Sequence, residues 1–170
     1  MKITIALLML VAAAFGIQAS EDNLIRDPEF KQQRKMWPIN AAATFQDGVV
    51  TLPINQPRKN DPKMMTASLY QRIPALKPGR YEFSAYYKGE FKHLYVVFRG
   101  YTKEMKPVNV IVKWLNPKDF VKAGDKPGWN KFYYVGEVPA GVVSGSIHVE
   151  PWGSAGQSIQ ITGIELGETE

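Results

Sequence analysis

The chain has no cysteine in its 170 residues. Disulfides, a thiol nucleophile and a lipid-modified N-terminal cysteine are therefore excluded. It has only two histidines, His93 and His148, which are too far apart in sequence for the close-spaced pair of a helical metal motif. No Gly-rich phosphate loop precedes a helix, and Gly141-Val142-Val143-Ser144-Gly145 puts its serine one place out of a Gly-x-Ser-x-Gly elbow. A charge stripe is missing as well. The formal net charge is +5, but the cations are scattered, as ordinary solubility requires, and not gathered into the patch that nucleic acid demands. The densest stretch, Arg58-Lys59-Asn60-Asp61-Pro62-Lys63, reads as a solvated loop, so no nucleic-acid partner is expected.

Only one long apolar run occurs. Residues 3–15, behind the single cation Lys2, are too short for a stable bilayer span and have the build of a secretory leader. Gly16, Ala19 and Ser20 follow, which places cleavage after Ala19 or Ser20. Residues 1–19 thus read as signal peptide and residues 20–170 as one domain, large enough to bury a core without staples. With no comparable run downstream, no membrane span is expected. The expected location is secreted or periplasmic.

What the chain has in quantity is short alternation of apolar and polar residues. From residue 43 onward it yields about nine strands, at 43–46, 49–54, 66–73, 80–88, 93–101, 108–115, 130–138, 146–150 and 158–166. A single helical turn near 119–122 is the one exception. Lys77-Pro78-Gly79, Asn116-Pro117-Lys118-Asp119, Lys126-Pro127-Gly128 and Pro139-Ala140-Gly141 supply turn chemistry between them. Strands without intervening helices predict an all-β sandwich of two antiparallel sheets. Alternation also sorts faces. Tyr81, Phe83, Ala85 and Tyr87 read as core, as do Leu94, Val96 and Phe98, and Ile147 and Val149. Trp114, in phase with Val108, Val110 and Val112, reads as core, and Trp37 and Trp129 as structural.

Four segments, in order, resemble carbohydrate-binding modules of the family 4/9/22 kind. Asn23-Leu24-Ile25-Arg26-Asp27-Pro28-Glu29-Phe30, with Trp37 after it, is similar to their opening. Gln71 followed by Leu76-Lys77-Pro78-Gly79-Arg80-Tyr81 and Ser84 looks like their most specific block. Trp129 and Phe132 leading to Val138-Pro139-Ala140-Gly141 resemble a third segment, and Ile159-Gln160-Ile161-Thr162-Gly163-Ile164-Glu165-Leu166 falls where their closing strand lies. The resemblance implies a galactose-binding-like jelly roll that binds carbohydrate and catalyses nothing. Many such modules hold a structural calcium through a Glu after the opening Phe and an Asp in the closing strand. Those positions are Lys31 and Thr162 here, so the calcium site is expected to be lost and no cofactor is expected.

A sugar offers an apolar face and a rim of hydroxyls, so its site needs exposed rings beside planar polar groups. The outward set Tyr86, Tyr95, Arg99, Tyr101, His148, Glu150 and Trp152 has that chemistry. Trp152, between Pro151 and Gly153 at a strand end, is the leading member. Two other classes stay open at this stage. One is a structural or adhesion sandwich that uses the same face for a secreted protein or an envelope polymer. The other is a glycosidase built on two of Glu82, Glu137 and Glu150, whose separation sequence does not define.

Overall fold

The computed structural model describes residues 23–39, 42–58 and 60–170; the expected signal peptide lies outside them. Period-two alternation becomes strand where one face is buried. Among the described residues this gives β1 (Thr44–Gln46), β2 (Val49–Pro53), β3 (Gln56–Arg58), β4 (Asp61–Thr66), β5 (Leu69–Ile73), β6 (Gly79–Glu90), β7 (His93–Thr102), β8 (Pro107–Leu115), β9 (Asn130–Val138), β10 (Val142–Gly153) and β11 (Ser158–Thr169). The expected helical turn forms slightly earlier, as a 3-10 turn at Pro117–Asp119. Proline suits its first position, and the Asp119 carboxylate accepts the Asn116 amide at 2.9 Å.

The first sheet has the order β1-β2-β11-β6-β9. The second runs β3-β4-β10-β7-β8, with β5 also paired to β10. Every pairing is antiparallel. The last two strands sit inside the sheets: β11 lies between β2 and β6, while β10 lies between β7 and the β4/β5 edge. The architecture is the expected all-β jelly-roll sandwich, with β3 and β4 added. Arg58 ends β3 and Asp61 to Lys63 open β4, which corrects the expected loop to strand, while Asp61, Pro62 and Lys63 are exposed as the solvated reading expects. The stretch lacks an apolar face to mark it as strand; Pro57 is tolerated on the edge strand β3, and Pro62 lies outside the residues of β4 that pair with its neighbours.

One continuous core fills the space between the sheets and includes all nine residues assigned to it by alternation on β6, β7 and β10. Trp37 and Trp129 are buried, as expected. On β11 the apolar phase changes: Ile159 and Ile161 alternate on odd positions, Ile164 and Leu166 on even ones, and all four are fully buried. The register against β6 slips between Thr162 and Glu165, so a bulge keeps both pairs inward. Gly163 takes φ +55° there, and a Cβ on it would stand 3.0 Å from Tyr86 Cδ2. Gly163→Val is therefore expected to cost about 1–3 kcal/mol through backbone strain and contact with that ring. A lowered urea midpoint at unchanged slope is the measurement.

The segment before β1 is clipped to both sheets by amide side chains. Asn23 donates to Ile164 O at 3.2 Å and accepts from the amides of Ile25 and Leu166 at 3.0 and 3.1 Å. From the other sheet, buried Gln71 accepts from Arg26 N at 2.7 Å and donates to Arg26 O at 2.8 Å. Trp37 Nε1 donates to Asp27 O at 2.9 Å, and its ring lies 5.1 Å from Phe30.

Candidate functional site

The outward face of the second sheet collects six of the seven expected residues. Registers place them in rows. His93 opposes Trp152, which opposes Thr66. Trp114, Tyr95 and Glu150 share the next row, then Val112, Val97, His148 and Tyr70, then Asn109, Arg99, Ser146 and Arg72. Tyr101 lies beyond, opposite Ser144.

At one end the rings cluster. Trp114 and Trp152 meet edge-to-face at 4.4 Å between centroids, His93 stacks on Trp114 at 5.1 Å, and Tyr95 lies 5.8 Å from it. The Arg58 guanidinium sits 3.3 Å from the Trp152 ring centroid, a cation held over a π face. Trp152 Nε1 donates to Glu150 Oε1 at 2.8 Å, and Thr66 Oγ1 donates to the same oxygen at 3.2 Å. The indole orientation is thus set by a carboxylate, an arginine and a second indole. His93 is fixed by Asn116, with Nδ1 and Oδ1 2.9 Å apart.

At the other end the groups are polar. Ser146 Oγ is 3.3 Å from both the Tyr101 hydroxyl and His148 Nε2, and Tyr70 packs on the His148 ring at 4.6 Å. Burial, and then the charge of Arg99, hold the His148 imidazole below its ordinary pKa. The unfolded chain therefore takes up this proton more readily than the folded one. The stabilisation is complete above the ordinary imidazole range and is lost as pH falls through it toward the folded-state value. The expected result is that the wild-type protein loses urea stability between pH 8 and pH 5 relative to His148→Gln.

Two expectations need correction. Trp114 is not core: it is 40% exposed. The β7–β8 register slips between Phe98 and Arg99. That bulge reverses the phase after Val110, turning Ile111 and Leu115 inward and Val112 and Trp114 outward. Tyr86 does not join the other six, because it lies on β6 in the first sheet. Alternation tells which side of a strand a residue occupies but not which sheet the strand joins. The Tyr86 hydroxyl bonds Asp125 and accepts from Lys131 Nζ at 3.3 Å. Its ring borders a cleft of about 600 Å³ lined also by Glu29, Phe30, Phe45 and Lys126. Tyr70, Arg58 and Arg72 were missed: Arg58 lies on a strand that nothing local marked, and Tyr70 and Arg72 lie on an expected strand whose pairing with β10 local pattern does not encode.

The three carboxylates considered for catalysis are also divided. Glu150 lies on the second sheet, while Glu82 and Glu137 lie on the first, where Glu82 accepts from the Tyr133 hydroxyl. Glu150 therefore flanks no common cleft with either.

No protein-family model matches the chain, and no curated protein matches it. Solved structures do. A CBM4 structure superposes with a TM-score of 0.55 at 11% identity, covering 79% of this chain and 80% of that one. TmCBM61, solved in complex with β-1,4-galactotriose, gives 0.51 at 13% identity over 86% of this chain and 99% of that one. The fold is that of a carbohydrate-binding-module β-sandwich. The enzymatically active domain of bacteriophage CBA120 tailspike protein 4 also contains it, with a TM-score of 0.57 at 16% identity over 86% of this chain. This chain spans 21% of that one. At such identities the likeness is one of fold.

Proposed function

We propose that the chain is a secreted or periplasmic, non-catalytic carbohydrate-binding module that receives a poly- or oligosaccharide on the outward face of its second sheet. The observation that carries this reading is the Trp114–Trp152 pair, with Trp114 exposed and Trp152 half-buried, oriented by Glu150 and Arg58 and bordered by Tyr95 and His93. An indole can cover the apolar face of a sugar ring while the neighbouring polar groups meet its hydroxyls. Covering about 100 Å² of ring stabilises by roughly 2.5 kcal/mol before ordering costs. Tyr95, Arg99, Tyr101, His148 and Glu150 belong to this face; Tyr86 is left out.

Retention on a panel of soluble and insoluble polysaccharides, followed by tryptophan fluorescence, tests the reading. Retention on one glycan class with a change in emission supports it. No binding to any glycan would turn the assignment to an adhesion sandwich for a protein or envelope polymer.

The reading includes loss of the structural calcium that the resemblance implies. Lys31 Nζ lies 2.5 Å from Glu29, and Thr162 Oγ1 donates to Gly48 O at 2.7 Å. Each of the two departing positions is thus engaged by the protein itself, and a cation at Lys31 repels a metal. Chelator is expected to leave the melting temperature unchanged; a fall on chelation would overturn this.

A further inference from the structure

We infer that the glycan is acidic, with its uronate carboxylates held by Arg72 and Arg99 at the end of the face away from the indoles. This rests on the proposed glycan-binding reading and names its ligand class. Arg99 on β7 opposes Ser146 on β10, and Ser146 opposes Arg72 on β5. Two guanidinium side chains thus flank one fully buried serine, their backbones two strands, or about 10 Å, apart.

Both arginines engage neutral groups only. Arg72 Nε donates to the Tyr70 hydroxyl at 2.9 Å and Arg99 Nε to Asn109 Oδ1 at 3.1 Å. Neither has a carboxylate partner among the described residues. Their Nη pairs, the edge that matches a carboxylate with two parallel bonds, are left for a ligand. Along the outward positions of β5, β7, β8 and β10, Glu150 is the one carboxylate. It lies four residues, or about 14 Å, along β10 from the arginine row, and its Oε1 is committed to Trp152 and Thr66. On these strands repulsion of an acidic ligand therefore comes from the indole end; at the arginine end the nearest carboxylate along β7 is Glu104 in the β7–β8 turn, which accepts from Thr102 Oγ1 at 2.9 Å. The Tyr101 hydroxyl, 3.3 Å from Ser146 Oγ, adds a neutral donor beside the cations.

The test compares one uronate-containing polysaccharide with the same polymer after its carboxyls are reduced to alcohols, alongside neutral galactan and xylan and the non-carbohydrate-specific polyanion dextran sulfate. The expected result is affinity for the uronate polymer about tenfold or more above that for its reduced form, declining with added salt. Arg72→Gln should erase most of that preference while retaining binding to the reduced polymer, and Arg99→Gln should erase most of it as well. Equal affinity for native and reduced polymers, or arginine variants that keep the preference, would overturn the acidic assignment and leave the glycan reading standing. Binding to dextran sulfate as tight as to the uronate polymer would also overturn it, since charge alone would then suffice. Binding to no polysaccharide would remove both readings.

Discussion

Trp152→Ala is expected to abolish glycan retention while leaving the sandwich folded. The half-buried indole lies at the centre of the aromatic cluster on the face, and it is the common partner of Trp114, Arg58 and Glu150. Truncation removes the stacking surface and releases the other three groups from their present geometry. A loss of at least about 2 kcal/mol, or some thirtyfold in affinity, follows from the behaviour of central aromatic anchors. Calorimetric titration with the retained polysaccharide gives the affinity, and far-UV circular dichroism reports the fold. Trp114→Ala is expected to fall in the same range, and the double variant to lose less than the sum, because the rings form one unit. Undiminished binding by both single variants would place the ligand elsewhere on the molecule.

Trp37→Ala should act on stability alone. The ring is fully buried, packs on Phe30 and ties the opening segment down through its bond to Asp27 O. Removing a side chain of this size from a packed core costs about 3–5 kcal/mol. For a domain this long that corresponds to a melting temperature lower by on the order of 10 °C. Glycan affinity measured well below that transition should be unchanged, since Trp37 lies in the core and the indole pair on the outward face. A variant that melts normally would mean that the segment before β1 is not anchored through this ring. A variant that is stable but binds less would mean that the segment shapes the face.

The segments that carried the resemblance are mostly those that hold the sandwich together. Asn23 and Gln71 clip the opening segment to the two sheets, Trp37 fills the core beneath it, and Leu76, Tyr81 and Phe132 are buried. Such positions answer to backbone hydrogen bonds and close packing, which any member of the fold must satisfy. They leave a strong imprint on sequence and carry little information about a ligand. The ligand face is different. Arg58 comes from an edge hairpin with no apolar phase, Tyr70 and Arg72 from a strand whose neighbour lies far along the chain, and Trp114 from beyond a bulge that reverses its alternation.

Sequence by itself determined the strand-rich class, turn chemistry at four connections, the nine inward residues assigned on β6, β7 and β10, and one side of β7 and β10. It could do so because burial of alternate side chains is a local, period-two property of the chain. Only the tertiary structure decided which strands share a sheet. That pairing separated Tyr86 from the other candidates and brought Trp114 and Arg58 to Trp152. It also set Arg72 and Arg99 on either side of Ser146. Strand order joins residues distant in sequence through backbone hydrogen bonds that are the same for every side chain, so local pattern does not encode it.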